Sequence, residues 1–138
     1  SRLSWSLAAN PDIAIVELGA NDGLRGLPPR ATEENLEAIL AEIKRRRVLI
    51  LFTGMLAPPN LGEEYTGEFN AIFPRLAQKN EVSFYPFFLE GVAGKPSLTL
   101  GDGLHPNPRG VEMIVQGIYS RVEKLVERAM DEATRRDR

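Results

Sequence analysis

The stretch IAIVELGAND, positions 13–22, decides the fold. It joins a nearly continuous apolar run rich in β-branched residues, IAIVEL (13–18), to a Gly-Ala-Asn-Asp turn. A short apolar run without polar alternation suits a strand buried on both faces of a parallel sheet. Two further runs of this kind follow, VLILF (48–52) and VSFYPFF (82–88), each separated from the last by room for a helix. The intervals carry helical faces: Leu36, Ile39, Leu40 and Ile43 in the first, and Tyr65, Phe69, Ile72, Phe73 and Leu76 in the second. Strands alternating with helices imply βαβ units on a parallel sheet, an α/β fold. Ligands in such sheets bind beyond the carboxyl ends of the strands.

Local signals fill in the remainder. Leu3 and Leu7 share a helix face that stops at Asn10-Pro11. GANDGLRGLPPR (19–30) reads as loop, with Thr32 as cap of the next helix and Glu33 and Glu34 in its first turn. Lys44, Arg45, Arg46 and Arg47 sit where the helix ends, which favours cations. TGMLAPPNLG (53–62) is a second loop. Asn107 fits an N-cap and Pro108 a first helical position. Val111, Ile114, Val115, Ile118, Val122, Leu125 and Val126 then mark a long amphipathic helix, and the charged tail DEATRRDR is expected to fray.

The 138 residues fit one domain, 1–138, with 43% hydrophobic and 26% charged residues, the composition of a globular protein. A net charge of −2, with no basic stripe interleaved with aromatics, gives no footprint for nucleic acid. The absence of cysteine excludes disulfides, thiolate nucleophiles and thiolate metal sites. No apolar run approaches membrane-spanning length, and SRLSWSL lacks the layout of a signal peptide.

Two loops carry candidate chemistry. DGLHPN (102–107) holds His105, the single histidine of the chain, three residues after Asp102. A carboxylate bonded to Nδ1–H would fix the tautomer and leave Nε2 free as a base. The same spacing also fits an incidental surface pair, or two metal ligands without a further histidine to complete a familiar set. Asn21, after Gly19 and Ala20, could aim an amide at a developing oxyanion, or Gly-Ala-Asn-Asp could be an ordinary turn. Asp22 reads as a solvated or turn-stabilising carboxylate.

ELGANDGLRG (17–26) and DGLHPN (102–107), in this order, resemble two conserved blocks of the SGNH hydrolases, also called GDSL esterases. EFNAIFPRLAQKNEVSFYPFF (68–88) resembles the helix and strand of the thioesterase I, lysophospholipase L1 and arylesterase branch. The resemblance covers most of the chain to about position 128. It implies a three-layer α/β/α sandwich with a mainly parallel sheet. It also implies a serine esterase acting on carboxylic esters or thioesters through a Ser-His-Asp triad. His105 then resembles the general base, Asp102 its orienting carboxylate, Asn21 the side-chain oxyanion donor and Gly19 the small residue before it. No cofactor and no metal is implied.

The departure from the family pattern lies at the nucleophile. No Gly-Asp-Ser-Leu occurs, and Gly101-Asp102 is followed by Gly103. Ser1, Ser4, Ser6, Ser83 and Ser97 sit in no recognisable nucleophile turn. The resemblance therefore places the serine, with the family's first two strands, upstream of Ser1. It leaves 13–18 as a sheet edge awaiting a partner: the absent segment or a second copy. This chain alone is then expected to be inactive. The alternative is a catalytically dead fragment or pseudoenzyme that binds or assembles through that edge. Met55 and Leu56 are candidates for contact with an acyl chain, or for ordinary packing. A periplasmic or secreted location would follow from the family alone.

Overall fold

The structure, a computed structural model, describes residues 2–136. Ser1 and the last two residues of the expected fraying tail lie outside the described residues. The chain runs α1 (Arg2–Ser6), a 3₁₀ turn (Leu7–Ala9), β1 (Ile13–Val16), α2 (Ala20–Leu24), α3 (Pro29–Arg45), β2 (Leu49–Thr53), a second 3₁₀ turn (Pro59–Leu61), α4 (Glu63–Asn80), β3 (Ser83–Tyr85) and α5 (Pro108–Arg136). The strands form one parallel sheet in the order β1-β2-β3. Ile13 lies opposite Leu49, and Leu51 opposite Ser83.

The sheet lies between two helical layers. Alternate residues of β2 point to opposite sides, as the pleat requires. Ile50 and Phe52 join Leu36, Leu40 and Ile43 of α3 and Phe69, Ile72, Phe73 and Leu76 of α4. Leu51 joins Tyr85, Ile118 and Leu125 beneath α5. An aromatic file anchors the first layer: the ring centroids of Phe52 and Phe73 lie 5.7 Å apart, and those of Phe69 and Phe73 5.6 Å. Helix α5 crosses all three strands on the other face. Among the described residues, no helix is long and apolar enough to cross a membrane.

Several expectations need correction. β1 ends at Val16, and it is not buried on both faces: Ile15 is 50% exposed and Leu18 48%. The reason is its place at the sheet edge, with one hydrogen-bonded neighbour. The segment 19–30 is not all loop, because Ala20–Leu24 winds into a helical turn and α3 already begins at Pro29. Thr32 is not a cap. It is buried inside α3, where a proline at the first position replaces a side-chain cap. The third strand is only Ser83–Tyr85, after which the chain turns away. Of the apolar positions of α5, Ile114, Ile118 and Leu125 are buried, whereas Val111, Val115 and Val126 are exposed. The charged tail does not fray at once, since α5 continues to Arg136.

Candidate active site

After β3 ends at Tyr85 the chain makes an irregular excursion, and residues 97–107 then fold back on themselves. Thr99 bridges Pro106 in antiparallel fashion. Leu100 N–H donates to the His105 carbonyl at 2.7 Å, and Asn107 N–H to the Leu98 carbonyl at 2.9 Å. The tip turns at Gly103, whose φ of +70° falls in the left-handed region that suits glycine. Asp102 holds the tip from inside. Its Oδ1 accepts from the backbone N–H of Leu104 at 2.9 Å and of His105 at 3.0 Å. Its Oδ2 lies 2.6 Å from His105 Nδ1.

The imidazole hydrogen bond, aided by these two backbone donors, holds the Asp102 carboxyl well below the usual carboxylate range. Asp102 is therefore an anion that accepts the Nδ1 proton and leaves Nε2 as the free ring nitrogen. The His105 side chain is 74% exposed, so contact with Asp102 and the loop backbone, not packing, sets its orientation.

A second arm follows β1. Gly19 has φ +102°, and a side chain there would press on Phe73 Cζ at 3.2 Å. The arm then winds through Ala20–Leu24, with Arg25 N–H bonded to the Asn21 carbonyl at 3.1 Å. Buried Thr32 donates to Asp22 Oδ2 at 3.0 Å, and Tyr65 Oη donates to the Leu27 carbonyl at 2.8 Å. The Thr32 bond ties the turn to α3 and favours the turn-stabilising over the solvated reading of Asp22. The exposed Asn21 amide has no hydrogen-bond partner among the described residues.

Both arms emerge beyond the carboxyl ends of parallel strands, the edge where such sheets bind ligands. The structure brings Asp102 and His105 together. Asn21 and Gly19 stand on the separate arm, and no hydrogen bond joins them to the pair. Of the two residues proposed to meet an acyl chain, Met55 is buried in the α3/α4 core and Leu56 is 51% exposed. Two surface concavities lie at the opposite end of the strands, bordered by Asp12, Arg47 and Ser83, and contain none of these residues. Among the described residues, no third carboxylate or imidazole joins Asp102 and His105 to form a metal site.

Sequence reasoning missed two supports. Thr32 looked like a cap because it precedes two glutamates, while its link to Asp22 depends on how the arm crosses α3. Leu100 and Leu104 flank the pair and are 51% and 49% exposed, an apolar rim that loop composition alone does not mark as a surface.

Residues 1–113 match the family model of the GDSL-like lipase/acylhydrolase family. The chain is 40% identical over 114 residues to an arylesterase of Vibrio mimicus, covering 83% of this chain and 57% of that protein. It is 39% identical over 116 residues to the thioesterase 1/protease 1/lysophospholipase L1 of Escherichia coli strain K12, covering 84% of this chain and 56% of that one. The chain thus spans a little over half the length of these relatives. The crystal structure of TesA superposes with a TM-score of 0.84 at 31% identity, covering 90% of this chain and 69% of that one. By this match over most of its length, the chain belongs to the GDSL-like lipase/acylhydrolase family.

Proposed function

We propose that this chain carries the base, the orienting carboxylate and the side-chain oxyanion donor of a serine esterase. Its substrates would be aryl esters, lysophospholipids or acyl thioesters, the classes named for its relatives. The observation that carries this reading is the 2.6 Å contact between His105 Nδ1 and Asp102 Oδ2, in a chain of this family. The nucleophile is a serine of a Gly-Asp-Ser-Leu segment outside these 138 residues, since none occurs within them.

His105 Nε2 takes the serine proton as Oγ attacks the ester carbonyl. Asp102 holds the ring and steadies the imidazolium that forms. The Asn21 amide donates to the oxyanion, with Gly19 keeping the backbone beside it free of side chain. His105 then protonates the leaving group and, in the second half-reaction, activates the water that releases the acid. Leu56, exposed at the loop after β2, lies in the segment assigned to the acyl chain, while burial makes Met55 a packing residue first.

Replacing His105 by Ala tests the reading, with hydrolysis of a short-chain aryl ester as the readout. Near-wild-type turnover by the variant would sink it.

One observation favours a second reading. β1 has an open edge and carries half-exposed Ile15, which suits pairing with another strand. By this reading the chain binds or assembles through β1 without turnover, its partner being the nucleophile-bearing segment or a second copy. An inactive preparation whose β1 amides become protected on association would favour it.

A further inference from the structure

Asn107, two residues beyond His105, makes more bonds than an N-cap requires. Its Oδ1 accepts from Gly110 N–H at 3.0 Å, which is the cap itself. Its Nδ2 donates to the Ser97 carbonyl at 3.0 Å and to the Thr99 carbonyl at 3.3 Å. Its backbone N–H reaches the Leu98 carbonyl at 2.9 Å. These partners fix the orientation of the amide, because only an oxygen can face the Gly110 N–H and only a nitrogen the two carbonyls. One side chain therefore ties the incoming arm of the loop, residues 97–99, to the first turn of α5. Gly110 makes that approach possible, since any side chain there would run into the Leu98 carbonyl.

His105 sits between these anchored ends. Its carbonyl accepts from Leu100 N–H on the incoming arm, and its ring has little packing to hold it. We propose that Asn107 is the positioning residue for the general base: it clamps the arm against α5 and so keeps His105 Nδ1 on Asp102. Asp, Ser and Thr can all cap a helix, but none offers two amide hydrogens to a pair of carbonyls. The kinetic side of this proposal rests on the reading of His105 as the base; the clamp itself does not.

Asn107→Asp separates cap from clamp. It keeps an acceptor for Gly110 N–H but faces the Ser97 and Thr99 carbonyls with oxygens. Amide hydrogen exchange in the 138-residue chain should show the Leu100 and His105 amides exchanging about tenfold faster in this variant, with the Gly110 and Val111 amides as protected as in the wild type. Asn107→Ala should release the Gly110 amide together with those of Leu100 and His105, while Val111 N–H keeps its bond to the backbone carbonyl of residue 107. In an active preparation, Asn107→Asp should lower kcat by roughly ten- to a hundredfold with KM unchanged. If Leu100 and His105 exchange at wild-type rates in Asn107→Asp, Asn107 is a cap alone and the clamp is overturned. An active His105→Ala variant would instead defeat the base reading, and the exchange result would still decide the clamp.

Discussion

A single carboxylate does two jobs in the loop at 102–107. Asp102 shapes the turn through Oδ1 and orients the imidazole through Oδ2. Replacement by Asn preserves the size of the side chain but removes the charge that steadies an imidazolium. On the proposed mechanism, Asp102→Asn should lower kcat on the order of 10⁴-fold, as removal of the orienting charge does in serine proteases. Asn21→Ala should lose about 10²- to 10³-fold, the usual effect of deleting one oxyanion donor. The pH behaviour follows from the sign of the Asp102 shift. Its folded value lies below its unfolded one, so the loop gains from ionisation at every pH above the ordinary carboxylate value. That gain is lost only as pH falls through the depressed folded value. Protection of the Leu104 and His105 amides should accordingly hold from neutral pH down to about pH 4. Loss of protection between neutral pH and that point would contradict the assigned bonds.

At the scale of elements, the α2 arm depends on what lies beneath it. Gly19 combines positive φ with Phe73 Cζ only 3.2 Å from where a β-carbon would stand. Gly19→Ala should therefore destabilise by about 1–3 kcal/mol, read as a lower urea midpoint. Thr32→Val preserves shape while removing the hydroxyl that serves Asp22, and about 1–2 kcal/mol should follow. These contacts explain what sequence could and could not reveal. β2 and the inward faces of α3 and α4 were legible because Leu36, Leu40, Ile43, Phe69 and Phe73 repeat at helical spacing around a wholly apolar run. The pairing of Asp102 with His105 was legible because it is local, three residues apart on a turn. Thr32 was not, because its partner is ten residues away and belongs to another element. Nor was the exposure of Val111 and Val115: periodicity marks an apolar stripe on α5 but not how much of it a three-stranded sheet covers.

At the scale of the whole molecule, the sheet has an open edge at β1 and α5 carries uncovered Val111, Val115 and Tyr119. Apolar edges of this kind recruit further strands. The isolated chain should thus self-associate as its concentration rises, and Ile15→Lys, which sets a charge on that edge, should weaken the association in sedimentation. A wild-type chain that stays monomeric throughout would remove the edge as an assembly surface. The proposed catalysis belongs to this scale too, because its nucleophile would come from outside the 138 residues. The most direct test is therefore the rate of aryl-ester hydrolysis by an assembly that joins this chain to a Gly-Asp-Ser-Leu segment, measured with His105 and with His105→Ala. The account predicts turnover with the histidine and a loss on the order of 10⁴-fold or more without it. Equal rates for the two would show that the pair at 102 and 105 has no part in the chemistry.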